Sequence, residues 1–196
     1  MSDGDHRAMV SAMRSPLALI TLASVFGYGL GTASAQAVDP AVTRPTAPQV
    51  QVILSQYEGA PTAEQLRAMG PDTLRVLISL YDERRTPAYV RLRVLSAVRH
   101  YATPATRTFL LAVLRLPNQS DLHQRQALLS LASAFGDGAR VVIARSLSSE
   151  HPVVREAAGR ALRRIGTAAA RRLIVEHSTR ERDPGVRRTF NEELRR

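Results

Sequence analysis

The chain contains no cysteine, no tryptophan and no lysine. Without cysteine there are no disulfides, no thiolate metal sites, no cysteine nucleophile and no lipid anchor carried on a cysteine. Aromatic residues make up only 5% of the chain, so the 44% apolar content must build its core from Ala, Leu, Val and Ile. In the absence of lysine all 27 basic residues are arginine, and against 17 acidic residues they give a formal net charge of +10. That bias suits a GC-rich coding sequence as readily as selection for bidentate anion recognition. Catalytic signatures are missing too. The chain has no HExxH, no glycine-rich phosphate loop and no Gly-x-Ser-x-Gly elbow. His100, His123, His151 and His177 fall at unrelated positions, and His177 lies on an apolar stripe that suits an inter-repeat role. Glu150, Glu156, Glu176 and Glu181 are dispersed and read as partners in helix-surface ion pairs. The sequence therefore assigns no catalytic residue, no metal site and no cofactor.

What is present begins with an export signature. Leu17 to Gly31 is an uncharged, mostly apolar run too short to span a bilayer comfortably, and Thr32-Ala33-Ser34-Ala35-Gln36-Ala37 supplies a small-x-small cleavage pattern. Residues 1–35 are expected to be a signal peptide, with the mature chain starting near Gln36 and no stable membrane insertion once it is removed. The segment before the apolar run balances Asp3 and Asp5 against Arg7 and Arg14, and a start at Met13 would make a better signal. Residues 36–48 are rich in Pro, Ala and Thr without apolar periodicity, and are expected to be a disordered linker. Gln49 to Tyr57 fits a strand or a helix; a helix covering the first repeat is favoured, because solenoid ends need caps.

The remainder repeats itself. Segments beginning at Arg91, Arg125, Arg155 and Arg187 superimpose by residue type, with 64 residues from Arg91 to Arg155 and 32 from Arg155 to Arg187. Only the Arg125 copy slips, by two. Tyr101, Phe135 and Ile165 hold one register, followed by Ala102, Gly136 and Gly166. A fixed period of this length signals stacked supersecondary units. In the clearest copy Val154, Ala158, Ala161, Leu162 and Ile165 recur at helical spacing, Gly166 ends the helix, and a second helix runs from about Ala168 to Ser178. Pro87, Pro152 and Pro184 open three of the first helices, where a missing N–H is harmless. The expected fold is all-α: an α-α superhelix of about four helical hairpins over residues 49–196, in which Thr62–Met69 supplies a shortened first helix.

The run from His151 to Leu162, HPVVREAAGRAL, closing on Ile165-Gly166, resembles the HEAT-repeat motif. It is similar in particular to the short-period HEAT-like repeats noted in phycobilin lyases, and Asp183-Pro184-Gly185-Val186-Arg187 repeats the opening. The resemblance implies a protein-binding solenoid, and a role for the early first-helix arginines in tying neighbouring repeats together through carboxylates or helix-end carbonyls. Two departures stand out. Arg93 replaces the alanine found at Ala127 and Ala157, and Glu193 stands where Leu131 and Ala161 are core, as suits a last helix facing water.

A second row of arginines lies on the second helices: Arg75, Arg107 and Arg171 at one register, with Arg145 one turn beyond Val141 in the remaining copy and Arg172 adjoining. The resemblance places second helices on the concave surface, where such a row forms a ladder that steers an anionic partner; the alternative is a solvated polar face. The reading is an exported, periplasmic or secreted scaffold that binds a protein partner, with an acidic segment the suited kind, through Arg75, Arg107, Arg145, Arg171 and Arg172. The competing reading is a polyanion-binding module for acidic polysaccharide or nucleic acid, and export argues against intracellular nucleic acid.

Overall fold

The structure is a computed structural model that describes residues 44–56 and 60–195. The expected signal peptide and most of the expected linker lie outside the described residues. Ten α-helices occur among those described, and no strand. In chain order they are α1 (Ala47–Ser55), α2 (Ala63–Ala68), α3 (Thr73–Asp82), α4 (Ala88–Ala97), α5 (Pro104–Arg115), α6 (Asp121–Phe135), α7 (Arg140–Arg145), α8 (Pro152–Ile165), α9 (Ala168–Ser178) and α10 (Pro184–Arg195).

Helix α1 starts inside the expected linker. Thr46 caps it: Gln49 Oε1 accepts from the Thr46 backbone N–H at 2.9 Å and from its hydroxyl at 3.0 Å. Pro48 falls in the first turn, where proline is tolerated, so Ala47 and Pro48, at the end of the expected linker, open a helix. The helix favoured for this segment is present, but its place in the array is new. Packed against both α3 and α4, α1 holds the position that a first helix holds towards its own hairpin and the next. The six-residue α2, expected to be that first helix, packs on no element comparably and buries only Leu66. Such a short helix cannot present a full apolar stripe, whereas α1 buries Val50 and Leu54 completely.

From α4 onward the helices form two layers. The first helices α4, α6, α8 and α10 pack in succession, and each second helix packs on the first helix of the following unit: α3 on α4, α5 on α6, α7 on α8, α9 on α10. One continuous apolar cluster runs between the layers, from Val50 and Leu54 through Leu77, Val94, Leu110, Leu128, Leu131, Leu162 and Ile174 to Phe190. The most extensive contact is α6 on α8, where Ala127, Ala157, Ala158 and Ala161 keep the facing surfaces small. Gly159 makes the last interface possible. A Cβ built there would stand 2.7 Å from Phe190 Cδ1 and closer still to Cε1. Phe190, fully buried, thus seats over bare α8 backbone.

The expected helix stop at Gly166 is present, with φ 74° and its N–H donating to Leu162 O at 3.2 Å. The stretch Asp121–Ser148 is long and apolar enough by composition to cross a membrane. Here it breaks at Gly136 into a hairpin and turns Ala127, Leu128, Leu131 and Ile143 into the core. Glu193 departs from expectation: it is largely covered, and its carboxylate accepts from Arg163 Nη1 at 2.7 Å. The charge at that register is a tie between α8 and α10, not a water-facing cap.

Candidate functional site

Arginines serve two purposes in this fold. Two of the first row, Arg91 and Arg155, are structural. Arg91 Nη2 donates to Glu83 O at 2.7 Å, at the C-terminal end of α3. Arg155 does more: Nε and Nη2 donate to the two Glu181 carboxylate oxygens, each at 2.8 Å, while Nη1 reaches Ser149 O at 2.8 Å and Glu150 O at 3.1 Å. The Glu181 carboxyl is held below the usual carboxylate range, chiefly by the hydrogen bonds from Arg155. Arg93, which replaces alanine, donates to Leu54 O at 2.7 Å and also to Gln56 O, so it caps the C-terminus of α1. That substitution follows from α1's position, since these carbonyls have no helical partner. At Arg187, by contrast, the side chain is exposed.

A second polar junction links the end of α3 to the start of α6. Gln119 Nε2 donates to Tyr81 Oη at 2.9 Å, and His123 Nδ1 lies 3.0 Å from Gln119 Oε1 and 3.2 Å from Tyr81 Oη. Allowing for the two-residue slip, Gln119 takes the place towards Arg91 that Glu181 takes towards Arg155. An amide stands where a carboxylate would pair, and Arg91 Nε is buried with no hydrogen-bond partner. Burial first, and the Arg91 charge second, push His123 below the ordinary imidazole value. His177 is half-buried with Nδ1 3.0 Å from Leu173 O, the geometry of a donated bond inside its own helix. No group of three or more His, Asp or Glu that could hold a metal occurs among the described residues.

The second row does not form one uninterrupted ladder. Arg107 is half-buried: Nη2 donates to Gly138 O at 2.8 Å, and the guanidinium carbon lies 5.5 Å from the Phe135 ring centroid. It ties α5 to the turn before α7. Arg75 is exposed but sits 3.7 Å from Asp72, which also meets Arg44 at 3.3 Å. Arg145, Arg171 and Arg172 are exposed and make no ion pair among the described residues.

Around these three lies a surface that sequence reasoning missed. Val141 is 62% exposed and Val175 47% exposed. Val141 precedes Arg145 by one turn of α7, and Val175 follows Arg171 by one turn of α9, so apolar and cationic positions alternate across the two helices. Helices α7 and α9 both pack on α8, and their starts are tied, because Thr167 Oγ1 donates to Asp137 Oδ1 at 2.9 Å. Beside α9 a cleft of about 640 Å³ is lined by Gly166, Ala168, Arg171, Arg172, Val175 and Glu176. The signal was in the register: Val141 occupies an arginine position on a helix whose buried side is already filled by Ile143. A cleft of similar size, about 630 Å³, opens between α1 and the end of α2, lined by Pro45, Gln49, Val52, Ile53, Ala68, Met69 and Gly70. It carries no charged residue.

Residues 110–195 match the family model of HEAT repeats. Neither a curated protein nor a solved structure matches the chain. The matched span runs from the middle of α5 to the end of α10, the part in which first and second helices alternate most regularly and the Arg155 tie joins successive units. Over residues 110–195, where the helices stack in two layers and Arg155 ties successive units, the chain is similar to HEAT repeats.

Proposed function

We propose that this protein is an exported, non-enzymatic scaffold that binds a protein partner through the exposed arginines of its second helices. HEAT repeats are commonly protein-interaction scaffolds. The observation that carries the reading is that Arg145, Arg171 and Arg172 are exposed without ion-pair partners among the described residues, while Arg91, Arg93, Arg107 and Arg155 are all engaged within the fold. Arginines left over in this way raise the local positive potential and steer an acidic partner. The surface is smaller than the ladder inferred from the sequence, since Arg107 drops out and Arg75 is shared with Asp72. Export to the periplasm or the medium rests on the apolar run Leu17–Gly31 and the cleavage pattern after it.

The test has two parts. N-terminal sequencing of the exported protein should find a start at or near Gln36; retention of residues 1–16 would refute processing. Partner capture from the producing cell's envelope fraction should then survive moderate salt, because an interface with apolar content is only partly electrostatic. A steep log-linear loss of binding with salt concentration would instead mark a polyanion-binding module.

A further inference from the structure

We infer that the face shared by α7 and α9 is a docking surface for an acidic peptide segment with interspersed apolar residues. Val141 and Val175 receive the apolar side chains, and Arg145, Arg171 and Arg172 receive the carboxylates. The inference rests on the scaffold reading above and narrows it to one surface and one ligand chemistry.

Three observations converge on it. The two valines are among the few large apolar side chains left exposed, and both lie in the same pair of second helices. Exposed single apolar residues are ordinary; two that alternate with arginines on helices whose starts are tied make a mixed surface. Arg145, Arg171 and Arg172 make no ion pair among the described residues, whereas Arg107, one unit earlier, is bonded to Gly138 O. Finally, Val175 lines the α9 cleft together with Arg171 and Arg172, one turn before it, so an apolar anchor entering the cleft brings neighbouring carboxylates towards the guanidinium groups. A polysaccharide or nucleic acid would use the arginines and leave the valines without a partner. An acidic amphipathic peptide uses both. Glu176 is the single carboxylate among the residues lining the cleft, and it opposes such a ligand.

The experiment uses the full chain and fluorescently labelled peptides: one built from Leu and Glu, one of equal length and charge built from Ser and Glu, with heparin as a third probe. Val141→Ser/Val175→Ser and Arg171→Glu/Arg172→Glu are compared with Arg84→Glu/Arg85→Glu, an equal charge change in the exposed loop after α3. Circular dichroism confirms that each variant is folded. The Leu/Glu peptide should bind about tenfold tighter than the Ser/Glu peptide, and each α7–α9 pair should weaken it about tenfold or more. The Arg84/Arg85 variant should weaken it much less, and Glu176→Gln should tighten it. Binding of the Leu/Glu peptide that ignores both α7–α9 pairs would overturn this surface while leaving the scaffold reading standing. Equal binding of both peptides and heparin, with one common salt dependence, would overturn the surface and the scaffold reading together. If neither peptide binds, the ligand class is wrong.

Discussion

Replacing Gly159 with alanine tests the packing of α10 on the array. In an unconstrained helix interior, Gly→Ala stabilises by roughly 0.5–1 kcal/mol, because glycine loses more backbone freedom on folding. Here the added methyl would sit 2.7 Å from Phe190 Cδ1 and closer to Cε1, in a ring that is completely buried. Carbon atoms prefer separations of about 3.5–4.0 Å, so the ring or the whole of α10 must move by about 1 Å. Overpacking of this kind costs about 1–3 kcal/mol, which exceeds the propensity gain. The net expectation is a loss of about 0.5–2 kcal/mol, localised at the α8–α10 contact. In a repeat array stability is close to a sum of neighbour terms, so α10 should loosen first and become sensitive to protease before the rest unfolds. Gly159→Ala/Phe190→Leu should recover part of the loss, with a coupling energy of about 0.5–3 kcal/mol in the double-mutant cycle. Thermal unfolding that shows Gly159→Ala to be as stable as the parent, or more so, would refute the close approach.

Other expectations follow from the polar junctions and the core. Glu181→Gln should destabilise by about 1–3 kcal/mol, since it leaves the Arg155 guanidinium facing a neutral amide in a site where Glu181 is only 5% exposed. Because the native Glu181 pKa is depressed, its contribution is full above the ordinary carboxylate value and disappears as pH falls through the native one; the acid limb of a stability–pH curve should flatten in the variant. Gln119→Glu should raise the unfolding temperature by supplying Arg91 with the carboxylate that Arg155 already has; an unchanged or lower value would break the correspondence drawn between the two junctions. His123 is depressed as well, so its contribution is full above about pH 6.5 and is lost as pH falls towards its native value; His123→Asn should reduce that slope in urea titrations. Leu162→Ala should cost about 2–5 kcal/mol, and near-parental thermal unfolding would mean that the side chain is not in the core.

The sequence made the hairpins of residues 88–195 readable because helical spacing and the recurring arginines, prolines and glycines all agreed there. Helix α9 was expected over Ala168 to Ser178 and forms over those residues. The N-terminal unit was harder. Its sequence repeats the pattern only in part, at Met69-Gly70 and Arg75, and the role of first helix passes to α1, which starts at the end of the segment read as linker. Arg93 was visible as an exception but could not be interpreted until α1 supplied the carbonyls that it caps. Among the candidate site residues, register alone could not separate Arg107 from Arg171. What distinguishes Arg107 is the turn at Gly136–Ala139, which brings Gly138 O to its guanidinium group. Glu193 was misread for a similar reason: the partner that makes a charge acceptable at a core register, Arg163, belongs to another unit.

Site-specific photo-crosslinking in the producing cell tests the central claim most directly. A benzophenone amino acid placed at Val175, one turn beyond Arg171 and Arg172 on α9, should yield a discrete covalent adduct with a protein of the cell envelope. The same group at Arg84, exposed in the loop after α3, should yield none. No adduct at Val175, or an identical pattern from both positions, would contradict the assignment of this face as the scaffold's binding surface.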